Sequence, residues 1–288
     1  MTKESPRRRS EEVREPPHNT EGAFYLPLGE HRYQPTEHTS GPWTRDAQHF
    51  GPPSALLVRA LEGLPSAWHN VLARVTVEIL GPAPLTEMSV RAAVERPGRS
   101  VELLAAELVA AGRAVARASA WRITTTDTGE IATPVAAAWP EPGECEPSRW
   151  PESWFGGYLS AMEWRTVSGD IVEPGPAAVW ARQRVQLVEG EEPSPLQRLF
   201  AVADSGNGIS NSLDPARWWF INSELTVHVR RPPTGEWIGL DAATVIGPGG
   251  VGTATSTLRD LDGPVGIGAQ ALMVRTRPPA SHPPLRSR

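Results

Sequence analysis

The sequence predicts an α+β chain built as one unit twice over, each copy an apolar helix followed by an antiparallel meander of strands. Three observations carry this reading. The stretch 220–232 alternates as a strand does, with Leu225, Val227 and Val229 on one face and Glu224, Thr226 and His228 on the other. Residues 75–82 carry the same pattern, Thr76 standing 150 positions before Thr226, and each stretch closes on a proline where a ladder donor is no longer needed. At the same offset Ala92, Ala93, Val101, Leu108 and Val115 meet Ala242, Ala243, Val251, Leu258 and Val265. An internal duplication follows, with the two copies sharing one sheet because neither can bury both faces alone.

In chain order, residues 1–20 are charged, proline-containing and nearly without apolar side chains, which predicts a disordered tail. The first unit spans 21–133. It opens on a strand at Phe24–Leu28 and passes through His49–Pro53 into a helix from Ser54 to Gly63, whose prolines suit a first turn and whose glycine suits a stop. Leu56, Leu57, Val58, Ala60 and Leu61 make that helix apolar nearly all round, so it must be wrapped. Strands follow at 72–80, 87–95, 100–111 and 114–125, separated by Gly81-Pro82, Pro97-Gly98 and Gly112. Val101–Ala110 has helical propensity, but its counterpart Val251–Leu258 is rich in Thr and Gly, so both are read as strands. A Pro-, Glu- and Trp-rich linker covers 134–154, laid over the surface by its tryptophans. The second unit spans 155–276. It has a strand pair at 161–165 and 178–187, then a helix capped by Ser194, opened by Pro195 and ending at Asp204, then its own meander. Residues 277–288 read as a second disordered tail.

Composition narrows the function classes. The net charge of −5 is spread along the chain and offers no basic field for nucleic acid. No apolar stretch reaches the roughly 18 residues of a membrane span, and the N-terminus lacks a signal-peptide core, so a cytoplasmic protein without a membrane partner is expected. A single cysteine, Cys145, allows no disulfide framework, and seven histidines without paired spacing argue against a metal site. Association with further copies of the chain stays open.

Several side chains stand out as chemical candidates. Gln270 interrupts the apolar run Ala269–Val274, where a buried amide must find partners. His49 precedes a helix and can face a ligand. Asp204-Ser205-Gly206-Asn207-Gly208 follows a helix rather than opening one, so it reads as a helix stop and loop, from which Asp204 can reach a site at the helix end. No Gly-x-Ser-x-Gly elbow is present, which removes the nucleophilic-serine route to ester cleavage.

Three pieces give the chain a family resemblance: His49–Pro53, Asn222–Trp237 and Ile267–Arg275. In that order and spacing they resemble the acyl-CoA thioesterase II (TesB-like) family, over roughly residues 24–275. The resemblance implies a double hotdog fold, hydrolysis of acyl-CoA by direct water attack, and no cofactor. It implies that a carboxylate, a hydroxyl and an amide hold the water, and matches them to Glu224, Thr244 and Gln270. Glu224 departs from the family's Asp, and one methylene shifts its carboxylate by roughly 1 Å. His49, Gly51 and Asn222 are then expected beside the substrate, with Asn222 on the strand face of Glu224 to offset that shift. The N-terminus of a buried helix is expected to supply the oxyanion donors. Two alternatives stand beside this: a non-catalytic acyl-thioester-binding protein, and hotdog hydratase chemistry with His49.

Overall fold

The computed structural model describes residues 13–14, 22–134 and 138–277. The first half runs β1 (Ala23–Gly29), β2 (Arg32–Pro35), α1 (Gly51–Glu62), β3 (Asn70–Ile79), β4 (Met88–Arg96), β5 (Val101–Ala110) and β6 (Arg113–Thr124). The second runs β7 (Met162–Ser168), β8 (Ala177–Gln183), β9 (Gln186–Val188), α2 (Pro195–Ala203), α3 (Gly206–Ile209), β10 (Trp218–Asn222), β11 (Glu224–Val229), β12 (Trp237–Ile246), β13 (Val251–Asp260) and β14 (Gly263–Thr276). One 15-stranded sheet holds them in the order β9-β1-β2-β4-β5-β6-β3-β11-β14-β13-β12-β8-β7, then Glu146–Pro147 at the edge, with β10 also on β14. Every pair is antiparallel except β9 with β1.

That order is a mirror about the β3–β11 seam, as a duplicated unit joined edge to edge requires. At the seam Thr76 faces Thr226, Val75 faces Val227 and Val77 faces Leu225. Val75, Val77, Leu225 and Val227 all point inward, onto the helices. Helix α1 lies on β3–β6 and α2 on β8, β12 and β13, while the two helices pack on each other, so one core joins both halves. Burying these faces, at about 25 cal/mol per Å² of apolar surface, is what drives the halves together. Gly51 permits the helix contact: a Cβ there would collide with the carbonyl oxygen of Ala201 in α2.

The strands and helices expected from the sequence form, with local differences. Helix α1 begins three residues earlier than expected, at Gly51, taking Pro52 and Pro53 into its first turn, where a missing N–H costs nothing. Helix α2 has Ser194 as its N-cap, the hydroxyl accepting from the N–H of Gln197. Val101–Ala110 is a strand. The stretch after Asp204, expected as a loop, instead makes the further helical turn α3.

The expected disordered stretches, 1–20 and 277–288, lie largely outside the described residues. Val13–Arg14 are a correction: they pair antiparallel with Trp150–Pro151, which offers them a strand edge. Arg277 is another, its guanidinium stacking 3.7 Å from the Trp219 ring centroid. In the stretch expected as linker, Trp150 is buried and Trp139 meets Trp180 edge-on at 5.2 Å.

Candidate active site

The polar cluster of the core forms where the start of α1 meets the end of α2. Asp204 caps the C-terminus of α2 and is buried, at 4% exposure. Its Oδ1 accepts from Asn222 Nδ2 at 2.8 Å, and its carboxyl also accepts the backbone N–H of Phe50. Gln270 Nε2 donates to the Asp204 carbonyl at 3.0 Å and lies 3.5 Å from Oδ1. Gln270 Oε1 in turn accepts the N–H of Asn207 at 3.0 Å, an approach open because Gly206 has no Cβ to meet that oxygen. Every hydrogen-bonding arm of Gln270 is thus turned onto the segment that carries Asp204.

His49 completes the cluster from the first half. Its Nδ1 accepts the N–H of Gly51 at 3.0 Å and lies 3.4 Å from Asp204 Oδ2. The ring stacks on Tyr158 with centroids 3.8 Å apart and planes 7° apart, and the Tyr158 hydroxyl donates to Ala201 O at 2.7 Å. Burial lowers the His49 pKa to about 3, so the imidazole is neutral and its approach to Asp204 is not an ion pair. Burial likewise raises Asp204 to about 7, against the opposing hydrogen bonds of Asn222, Phe50 and Gln270. A carboxyl poised near neutrality can act as a base at physiological pH.

Beyond His49 and Asn207 opens a cavity of about 470 Å³, walled also by Trp43, Trp154, Asn211 and Phe220. Trp43 meets Phe220 edge-on at 4.7 Å, a ring pair that forms one part of the wall. Asp204 stands one side chain behind it.

The structure sorts the expected site residues into different places. Gln270, His49, Gly51 and Asn222 meet in the cluster. Glu224 does not: it lies on the outer face of the sheet, accepting the N–H of Ala271 at 2.8 Å and the hydroxyl of Thr226 at 2.9 Å. The reason is a register change. Asn222 pairs with Leu272 whereas Thr226 pairs with Ala269, so one extra residue is accommodated around Ser223 and the side-chain phase flips. Asn222 and Glu224, expected on one face, therefore point to opposite faces. Thr244 shares the inner face with Gln270, in the row Thr244, Ala254, Gln270 across three strands. Two strand spacings of about 4.8 Å separate it from Gln270, and its hydroxyl bonds Ser210 Oγ at 2.7 Å.

Two family models match the sequence. One describes the acyl-CoA thioesterase N-terminal domain and covers residues 39–123; the other describes the acyl-CoA thioesterase C-terminal domain and covers residues 142–274. Together they span well over half of the chain. The chain belongs to the acyl-CoA thioesterase family. Solved structures agree on the double hotdog fold of this thioesterase. A hot dog fold protein of unknown function from Alicyclobacillus acidocaldarius superposes with a TM-score of 0.67 at 15% identity, over 88% of this chain and 96% of that one. The tesB protein of Mycobacterium avium subs paratuberculosis gives 0.62 at 14%, over 88% and 96%. The acyl-CoA thioesterase II TesB2 of Mycobacterium marinum gives 0.60 at 14%, over 90% and 97%. No curated protein matches the sequence.

Sequence reading placed Asp204 within reach of the thioesterase's site but gave the carboxylate role to Glu224. A signal for Asp204 was present. An acid in the last turn of a helix opposes the helix dipole, and such a residue needs a reason to be there. Tyr158, whose ring fixes His49, and the N–H of Phe50 carried no sequence signal at all.

Proposed function

We propose that this chain hydrolyses acyl-CoA thioesters by direct attack of water, with Asp204 as general base. The observation that carries the reading is the Asp204 carboxyl itself, buried, near-neutral in pKa, and held by two amides directly behind His49 of the cavity wall. A water on Asp204 adds to the thioester carbonyl carbon while its proton passes to the carboxylate. The tetrahedral intermediate then collapses, the C–S bond breaks, and the proton leaves with the CoA thiolate. Asn222 and Gln270 fix the carboxyl so that little reorganisation accompanies the step. Thr244 acts at one remove, through Ser210, by holding the α3 turn. Glu224 supports the sheet at the register change, where the Ala271 N–H has its carboxylate as acceptor.

The test is release of free CoA thiol from a panel of acyl-CoAs, by wild type and Asp204→Asn. Turnover by wild type and its loss in the variant supports the reading. Binding of the same acyl-CoAs by both, with no thiol released by either, establishes the non-catalytic binding protein instead.

A further inference from the structure

The start of α1 is the place where a thioesterase of this architecture is expected to bind the developing oxyanion, and in this chain it has no amide to offer. The N–H of Phe50 is held by Asp204 and that of Gly51 by His49 Nδ1. Pro52 and Pro53 have none, and the N–H of Ser54 already bonds the carbonyl of Phe50. Across the cluster, the N–H of Asn207 is taken by Gln270 and its side-chain amide by the carbonyl of Phe220.

One donor in the cavity wall is set by this same arrangement. Because His49 Nδ1 accepts from Gly51, the single proton of the neutral ring resides on Nε2. A flip of the ring would set Cδ2 against the Gly51 N–H, and the stack on Tyr158, itself tied to Ala201 O and to Ser205 Oγ at 3.0 Å, holds the ring plane. His49 lines the cavity.

Resting on the hydrolytic reading above, we propose that His49 is the oxyanion donor, its Nε2–H bonding the thioester carbonyl oxygen and holding the negative charge of the tetrahedral intermediate. When water adds to the carbonyl carbon, the C=O electron pair moves onto that oxygen. Nε2 keeps its proton throughout, and collapse returns the pair as the C–S bond breaks. A neutral imidazole suits the task, since burial denies the ring a second proton and leaves it a donor at any working pH.

Two variants and one spectrum test this. In His49→Asn, the side-chain oxygen can still accept from Gly51, but no donor reaches the position of Nε2; in His49→Gln, the amide nitrogen reaches it. The expected result is a fall in kcat of about 10²–10³ for His49→Asn, with partial recovery in His49→Gln and binding of a non-hydrolysable acyl-CoA thioether unchanged. Nitrogen-15 NMR of the unaltered protein should show His49 as the neutral Nε2–H tautomer from pH 6 to 9. Turnover by His49→Asn within about threefold of wild type, or an Nδ1–H tautomer, overturns the donor role and leaves hydrolysis by Asp204 intact. If the unaltered protein hydrolyses no acyl-CoA, the hydrolytic reading fails and the donor role with it. Should His49→Asn fail to fold, the spectrum and His49→Gln still decide: Gln activity well above that of an Asp204→Asn control supports the donor, and activity at the level of that control opposes it.

Discussion

Thr76 and Thr226, 150 residues apart, stand opposite each other in the β3–β11 ladder and share a 3.1 Å hydrogen bond between their hydroxyls. Equivalent positions of the two copies thus meet at the pseudo-twofold seam. A double-mutant cycle of Thr76→Val and Thr226→Val, read by denaturant unfolding, should give a coupling energy of about 0.5–1 kcal/mol. Additivity within about 0.3 kcal/mol would show that the contact contributes nothing.

Asp204→Asn should lower kcat by about 10² or more while leaving acyl-CoA binding largely intact, because the amide keeps the shape and loses the base. In wild type, kcat should rise with pH as Asp204 ionises, with a midpoint near its pKa of about 7 and a plateau above. A profile flat from pH 5 to 9 would assign the base elsewhere.

His49 and Asp204 make opposite demands on pH. Folding raises Asp204 from 3.8 to about 7, so between those values the native state holds a proton that the unfolded chain has lost, and stability falls as pH rises. Folding lowers His49 from 6.5 to about 3, so there the unfolded chain holds the extra proton, and stability falls as pH drops. Between about pH 4 and 6.5 the two slopes, each up to roughly 1.4 kcal/mol per pH unit, cancel. Thermal melts across that window should show Asp204→Asn losing stability on acidification and His49→Gln losing it as pH rises. Parallel curves for both variants and wild type would refute this coupling.

Glu224→Gln should leave turnover within about twofold of wild type, since the carboxylate lies on the sheet face opposite Gln270. Glu224→Ala should cost about 1–2 kcal/mol, because the N–H of Ala271 loses its acceptor. A hundredfold loss of kcat in Glu224→Gln, with unchanged melting, would return the base to this residue.

The contrast between Glu224 and Asp204 marks the limit of what the sequence discloses. Period-two alternation and the duplicated pattern determine the strands, the helices and the seam, because burial of a continuous apolar face admits few other solutions. They do not disclose the extra residue at Ser223, and one residue is enough to exchange Asn222 for Glu224 on the inner face. Gln270 was legible because an amide amid apolar residues must be satisfied. Asp204 needed the crossing of α1 and α2, a contact between elements far apart in sequence, before its surroundings could be known.

Gly51→Ala should destabilise the fold by about 1–3 kcal/mol, since the added methyl forces α1 away from the Ala201 carbonyl. Turnover should fall too, because the same shift withdraws the Phe50 and Gly51 amides from Asp204 and His49. A variant as stable and active as wild type would mean the helices can separate without disturbing the site.

At the far end of the helix pair, the last residue of α1, Glu62, is exposed and accepts from Ser194 Oγ and Gln197 Nε2, both at 2.8 Å, at the start of α2. It is the topological counterpart of Asp204, yet it acts as a clasp between the helices. A symmetric pair of separate chains would have to carry the same residue at both ends, reactive or not. Covalent fusion releases the copies from that obligation, letting one junction drift toward cohesion while the other drifts toward chemistry.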